Sequence, residues 1–471
     1  MSVGGPLGVL GRERARPARL REWPHGWLLA VGTVCFGAFM GQLDASIVTL
    51  TYRPLRAEFH TSLAAVQWVS LSYLLALTAL LVPVGRLADI HGRKLIYLYG
   101  FLVFTAASAV CGLAPSLGML IGFRVVQALG AAMLQANSVA LVATSAPAQR
   151  MRTALGLQAG AQALGLALGP TAGGLLVSTL GWRWVFGINI PVGVLGVLAG
   201  IYLLPRTHHR ARTAALDWSG LLLLVIATTS LLLGISAASG PALSGWIAVL
   251  LLVVSAAATA GFVARQRRAA APLVDLTLLR SRTVATGLVG ALCGYLVLFG
   301  PLVLVPIVLT SAGSSELRAG LVLTALPAGF ALAAIGADRL LPRSWTDRTR
   351  ATLGAAVSST ALLGLLATPP TTPWLVPLLT LLGVALGTFT PANNTLIMST
   401  VPTRAAATAG GLVSMSRSLG TALGVALVTL ALSLGIGRVL DGPQAAVLVL
   451  ATAAAVAAFA TRLTPAAGTT Q

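Results

Sequence analysis

Two ionisable residues stand where ionisable residues are costly. Asp44 falls in an apolar run over 27–50 and Arg124 in another over 117–145. A charged side chain at the centre of a membrane helix costs about 2.5–3.5 kcal/mol even on translocon-insertion scales, so a compensating reason is expected. Counted from the ends that share one side, Asp44 is about six residues deep and Arg124 about seven, which at about 1.5 Å per residue puts both ~10 Å below the same surface. Equal depth permits an ion pair. One reading is a purely structural salt bridge. The other is proton exchange, because a neighbouring cation favours the ionised carboxylate while a dry site favours the protonated one. Moving Arg124 away, or closing water out, would then switch Asp44 between release and uptake. Gln127 follows Arg124 by one turn, and Gln162, Asn393 and Arg417 are further polar residues inside apolar runs. These four are candidates for lining a substrate cavity, with Arg417 suited to an anionic group. Interhelical hydrogen bonding is the plainer use of such residues.

A second concentration of charge is the decapeptide from Gly85 to Lys94, which holds the chain's single lysine between two long apolar runs. Asp89 with Arg86, Arg93 and Lys94 reads as a tight loop packed at a membrane surface. Anchoring by positive charge explains Arg93 and Lys94 but not Asp89, Gly85 or Gly92. Gly85, Arg86, Asp89, Gly92 and Arg93 are therefore candidates for a conformational latch, with Asp89 set against the positive N-terminal end of the helix that follows Arg404 and with Arg86 and Arg93 paired around it.

The composition says what must position these residues. Of 471 residues, 56% are hydrophobic and 9% charged, with mean hydropathy +0.90. A soluble domain is nearer a quarter charged, so lipid is the solvent. About 20 apolar residues cross a bilayer as a helix, and the runs here are long and continuous rather than short and alternating, which excludes a barrel. The net charge of +20 is scattered over short connections without interleaved aromatics, so it does not describe a nucleic-acid surface. Cys35, Cys111 and Cys293 are far apart inside apolar runs and read as small buried hydrophobes, and no metal-ligand spacing occurs. A phosphate-binding P-loop needs Gly-Lys-[Ser/Thr], which the lone Lys94 between Arg93 and Leu95 cannot supply. No nucleophile elbow or zinc-protease motif is present, no cofactor is implied, and the chain does not read as an enzyme.

Fourteen spans follow, the first over 27–50, the second over 64–84, the third over 95–114 and the last over 443–461. Most of the 31 lysines and arginines then fall on the side of the N-terminus, while the opposite side has only Arg53, Arg56, Arg183, Arg318 and Arg438. This places both termini in the cytoplasm of a multi-pass protein of the plasma or inner membrane. Trp68, Trp182, Trp184, Trp246 and Trp374 lie near span ends, as an interfacial belt would. The chain also repeats itself: Pro147, Gly156, Gly165 and Gly169 recur at one constant offset as Pro402, Gly411, Gly420 and Gly424. The reading is an all-α membrane protein with a basic tail over 1–26 and a six-helix bundle over 27–204. A linker over 205–282 carries spans seven and eight, a second six-helix bundle covers 283–461, and a tail covers 462–471. Parallel halves of this kind place a substrate site between them.

Five stretches resemble one family. Gly85–Lys94 is similar to the loop signature of the major facilitator superfamily, and Arg124-Val125-Val126-Gln127-Ala128-Leu129-Gly130 to its fourth-span signature. Leu43-Asp44-Ala45-Ser46-Ile47-Val48 is similar to its first-span signature. Gly165-Leu166-Ala167-Leu168-Gly169-Pro170-Thr171-Ala172-Gly173-Gly174 resembles the fifth-span antiporter signature, and Gly181-Trp182-Arg183-Trp184 through Asn189 and Pro191 completes a set typical of 14-span drug:proton antiporters. Ala128 in place of a glycine and Ile90-His91 in the loop depart from the pattern. The resemblance implies a major-facilitator-type fold of two six-helix bundles plus two extra central helices. It further implies export of hydrophobic, cationic or amphipathic drugs in exchange for protons, by a monomer embedded in the lipid bilayer. Gly165, Gly169, Pro170, Gly173 and Gly174 would pack and kink the fifth span so that it seals or rocks the outer gate. A dedicated exporter of one endogenous metabolite or antibiotic is the alternative. A non-transporting sensor would need a larger soluble domain than these loops allow.

Overall fold

The computed structural model describes residues 13, 16–17, 23–61, 63–207, 217–238, 245–269, 272–274, 276–313, 316–342, 344–369, 371–434 and 441–463. Apart from Glu13, Arg16 and Pro17, the start of the chain lies outside them, as do His208, His209 and the last eight residues. Among the described residues, fourteen helices are long and apolar enough to cross a membrane. They are α1 (Gly26–Ile47), α2 (Trp68–His91), α3 (Arg93–Gly112), α4 (Leu117–Ser145), α5 (Ala148–Thr179), α6 (Arg183–Leu203) and α7 (Trp218–Ile235). The rest are α8 (Gly245–Arg268), α9 (Arg282–Leu309), α10 (Arg318–Leu340), α11 (Asp347–Ala367), α12 (Thr372–Thr400), α13 (Ala406–Leu432) and α14 (Gly442–Arg462). Their starts carry the expected caps: the Ser116 hydroxyl accepts from Met119 N at 3.3 Å, Thr346 accepts from Thr349 N at 3.1 Å, and Asp441 forms a capping box with Gln444.

Packing divides the chain into two compact units. The first comprises Met1–Leu216 with Pro402–Ser414, and the second Asp217–Val401 with Met415–Gln471. In the first unit α5 lies against α1 through a stripe of small residues. A Cβ on Gly165 would strike the carbonyl of Phe39, one on Gly169 the side chain of Ser46, and one on Gly173 the side chain of Ile47 at 2.7 Å. The second unit uses the repeated glycines in the same way: a Cβ on Gly420 would strike the carbonyl of Leu292, and one on Gly424 would stand 2.6 Å from that of Leu296. A short helix, Tyr52–Phe59, follows α1 and closes on His60, which adopts a left-handed φ of 48°.

Two helices are interrupted for a shared reason. In α6 the break is at Ile188, three residues before Pro191, and in α10 it is at Thr324, three before Pro327. Each proline lacks the N–H that would bond one turn back, so regular hydrogen bonding stops there. In the second unit Asp217 caps α7 by accepting from Gly220 N at 3.0 Å and ties it to α8 through Arg265 at 3.1 Å and Gln266 at 3.0 Å. Burial alone would raise this carboxyl, but those three donors outweigh it and hold Asp217 below its ordinary value. α8 turns Trp246, Val249, Leu250 and Val253 outward, as a helix bathed in hydrocarbon does.

Three readings of the sequence change. The stretch from Gly85 to Lys94 is not a loop: the helix containing α2 continues to His91, and only Gly92, with φ 116°, separates it from α3. Lys94 is not a surface anchor. It is fully buried, and its Nζ donates to the carbonyls of Ile201 and Leu204, both at 2.8 Å, where α6 ends and a cation is favoured. Trp182 does not belong to an interfacial belt, because it is buried between Phe59 and Phe186. The other four tryptophans are exposed.

Candidate functional site

The first unit encloses a polar network built from five helices. Asp44 comes from the last turn of α1, Arg124 and Gln127 from one face of α4, Ser108 from α3 and Asn189 from α6 just past its break. Tyr73 of α2 covers them. Arg124 Nη1 donates to Asp44 Oδ2 at 2.7 Å and to Gln127 Oε1 at 2.6 Å, while its Nε donates to the carbonyl of Val69 at 3.0 Å. The other carboxylate oxygen, Oδ1, accepts from Gln127 Nε2 at 3.0 Å and Asn189 Nδ2 at 2.9 Å. Ser108 Oγ in turn accepts from Gln127 at 2.7 Å. Asp44 is 0% and Arg124 1% exposed.

Charge and shape both suit this burial. Each carboxylate oxygen has a charged or amide donor, which offsets the desolvation of an ion in an apolar interior. The guanidinium lies 4.1 Å from the centroid of the Tyr73 ring and 5.7 Å from that of Phe186, so its faces meet π systems rather than aliphatic carbon. An apolar cluster of Ile47, Val48, Val69, Cys111, Leu120, Trp182 and Phe186 surrounds the network on the side of the short helix. In this arrangement Asp44 is dry and its charge fully committed.

A second set of contacts lies at the opposite ends of the same helices. Asp89 Oδ1 accepts from Ala407 N at 3.0 Å, and Oδ2 accepts from both Thr408 N and Thr408 Oγ1 at 2.7 Å. The carboxylate thus occupies the N-terminus of α13, where free amides and the helix dipole favour an anion. Arg93 joins Asp89 at 3.1 Å and donates to the carbonyl of Thr403. Arg86 is half-buried and makes no pair with Asp89, so the pairing expected of it falls to Arg93 alone. Gly85 has a backbone role, since a Cβ there would stand 2.6 Å from the carbonyl of Ala407. The side chain of Arg404 lies outside the described residues, as do those of Pro170 and Thr171 in the glycine-rich stretch of α5. A Cβ on Gly174 would make only an ordinary contact, 4.0 Å from Leu50 Cδ1.

The remaining polar candidates are buried, two in each unit. Gln127 belongs to the Asp44 network. Gln162 is buried on α5. Asn393 donates to the carbonyl of Gly287 at 2.9 Å, and the Arg417 guanidinium sits 5.1 Å from the Tyr295 ring. Sequence reasoning missed Ser108 and Tyr73, single hydroxyl groups in apolar helices with no pattern to mark them. Asn189 was visible within its motif but not as a ligand of Asp44. Among the described residues no three His, Cys, Asp or Glu side chains gather as metal ligands would.

The profile of the Major Facilitator Superfamily matches residues 34–425. The chain belongs to that superfamily. It is a multi-pass membrane transporter, of a family of carriers rather than enzymes. The carrier is 30% identical to the riboflavin transporter RibZ of Clostridioides difficile, over 85% of this chain and 87% of that one. It is 30% identical to the tetracenomycin C resistance and export protein of Streptomyces glaucescens, over 92% and 80%. It is 32% identical to the multidrug resistance protein Stp of Mycobacterium tuberculosis, over 85% and 74%. Among solved structures, the human organic anion transporter MFSD10 superposes with TM-score 0.67 at 16% identity, over 93% of the carrier and all of that chain, which shows a common fold.

Proposed function

We propose that this transporter is a proton-coupled antiporter exporting hydrophobic, cationic or amphipathic compounds across the plasma membrane, with Asp44 and Arg124 exchanging the proton. The observation that carries the reading is the full burial of Asp44 with Arg124 on one oxygen and two amide donors on the other. A proton arriving on Oδ2 neutralises the carboxylate, and Arg124 then loses the charge that holds it at 2.7 Å. The freed guanidinium still has Gln127 and the Val69 carbonyl, so the protonated state is not left with an orphaned cation. Proton binding and rearrangement of α1 against α4 are thereby one event. Relatives named for drug resistance and antibiotic export support the substrate class. The positive-inside distribution supports cytoplasmic termini, with the short helix Tyr52–Phe59 on the outer side.

Asp89 on the start of α13 acts as a latch for one conformation of the cycle, and the glycine face of α5 gives α1 a close track. A narrower reading, export of one endogenous metabolite, is favoured by the buried Arg417 against Tyr295, which suits an anionic or zwitterionic group. Everted vesicles test both. With an imposed pH gradient, several unrelated lipophilic cations dissipate it through the wild type and not through Asp44→Asn. Dissipation by a single anionic compound selects the narrower reading. Undiminished exchange in Asp44→Asn removes the carboxylate from the mechanism.

A further inference from the structure

We propose that Asn189 and Glu58 are positioning residues for proton exchange at Asp44, and that the segment joining them, Trp182–Asn189, is a lever by which the outer surface opens the site. The proposal rests on the proton-exchange reading above. The segment has its joint at the outer end, where Gly181 precedes it in the left-handed region with φ 88°; the interruption at Ile188 lies inside it, but Ile188 keeps helical torsions, φ −61° and ψ −26°, and carries the turn on to Asn189. At its outer end Trp182 Nε1 donates to Glu58 Oε2 at 2.6 Å, and Arg183 reaches both oxygens of the same carboxylate at 3.0 and 2.7 Å. At its inner end Asn189 supplies one of the two donors on Asp44 Oδ1. Between them Phe186 lies over Arg124 and edge-on to Trp182, at 6.2 Å between ring centroids.

These contacts move together or not at all. Gln127 and Arg124 share α4, whereas Asn189 and Phe186 share the lever. Release of Glu58 therefore takes a donor from Asp44 and an aromatic cover from Arg124 in the same motion. A carboxylate that loses a donor to its charged form accepts a proton more readily, so opening and proton uptake are linked. The clamp suits a moving part: Glu58 and Arg183 are 39% and 44% exposed, so water can replace each of their bonds. The titratable groups facing Asp44 are Arg124 from α4, Tyr73 from α2 and Cys111 from α3, and α6 offers none.

Cys111 reports on the lever. It is fully buried in the apolar cluster with Trp182 and Phe186, and its Sγ is 4.0 Å from Gln127 Oε1. In the full chain carrying Cys35→Ser and Cys293→Ser, held in nanodiscs, a water-soluble maleimide measures its exposure. Glu58→Ala should label about tenfold faster than the parent, the population shift expected from losing a charge-assisted clamp. Glu58→Gln, which keeps an acceptor for Trp182, should fall between. Labelling of Glu58→Ala at the parental rate overturns the lever. For Asn189, melting temperature against pH is the substrate-independent readout. Asn189→Ala should move the acid limb of that curve toward higher pH by about one unit, beyond any uniform drop, because a donor to the charged form is gone. An unmoved limb overturns the positioning role. If Asp44→Asn keeps the wild-type limb, proton exchange at Asp44 falls and the role of Asn189 with it, while the lever stands or falls on labelling alone.

Discussion

A carboxylate that carries a proton needs a site where both its forms can persist, and Asp44 sits in one where each of its oxygens accepts from buried donors. Its three donors come from three residues on two helices, and none reaches water. Removing Arg124 alone would leave the carboxylate buried and unpaired, a loss of roughly 3–5 kcal/mol by analogy with other buried ion pairs. Arg124→Met should therefore lower the melting temperature sharply in detergent. Combining it with Asp44→Leu should restore most of that stability without restoring exchange, and a double variant no more stable than the single would show that the pair is not the relevant coupling. Glu58 gives a pH prediction of opposite character. Hydrogen bonds from Arg183 and Trp182 hold its carboxyl below its ordinary value of 4.5, against a smaller contrary push from burial. A depressed carboxylate contributes its stabilisation above the unfolded value and loses it as pH falls through the lower, folded one. The clamp is thus intact wherever the cell works. The excess labelling of Cys111 in Glu58→Ala should hold from pH 8 down to about pH 5 and disappear only in stronger acid, where the parent opens as well.

At the scale of elements, the glycines of α5 matter through what they leave out. Gly165, Gly169 and Gly173 stand one turn apart along α5, and the first two meet the carbonyl of Phe39 and the side chain of Ser46 with no room for a Cβ. Gly169→Leu should insert in the membrane yet fail to transport, since α1 would be pushed away from α5 and Asp44 with it. Gly169→Ala should retain partial activity, and adding Ser46→Ala should recover some of the loss because the hydroxyl is the nearest atom to the new methyl. The contact of α2 with α13 adds one anion, Asp89, to glycines that bring the two backbones together, Gly85 at the carbonyl of Ala407 and Gly411 at that of Leu81. Asp89→Asn keeps the shape of the side chain but no longer accepts from Ala407, Thr408 and Arg93 at both oxygens. Transport should fall about tenfold while binding of a transported dye, followed by fluorescence titration, stays unchanged, the signature expected when a conformational step and not the binding site is damaged. Weakened binding with normal turnover would place Asp89 elsewhere in the cycle. That α2 runs helical to His91 was hidden in the sequence, because clustered charge and flanking glycines read as a loop. The i,i+4 spacing of Asp89 and Arg93 is helical, yet only the Gly92 turn breaks the backbone.

For the whole molecule, long apolar runs made the span count legible, and the depth of Asp44 and Arg124 along two helices made their pairing foreseeable. What the runs concealed were hydroxyl and amide groups such as Ser108 and Asn189, whose roles depend on rotation about helix axes that hydropathy does not encode. The repeat was legible for a physical reason: Gly165 sits on a backbone carbonyl of α1 and Gly420 on one of α9, and only glycine allows that approach. Orientation across the membrane follows from charge and is open to a direct check. Arg265, Arg267 and Arg268 end α8, and Arg348 and Arg350 lie in the first turn of α11, on the side assigned to the cytoplasm. Arg183 at the start of α6 lies on the other side, with its charge offset by Glu58. On this assignment the outer Arg183 is paired with Glu58, and the excess of positive charge on the other side is the ground for the proposed topology. Green fluorescent protein fused after Arg462 should fluoresce and alkaline phosphatase there should be inactive. The same two reporters placed after Thr179 should give the reverse. Matching signals at both sites would require an odd number of misassigned spans between them, and a cytoplasmic signal after Thr179 would return Asp44 to the cytoplasmic half of the membrane.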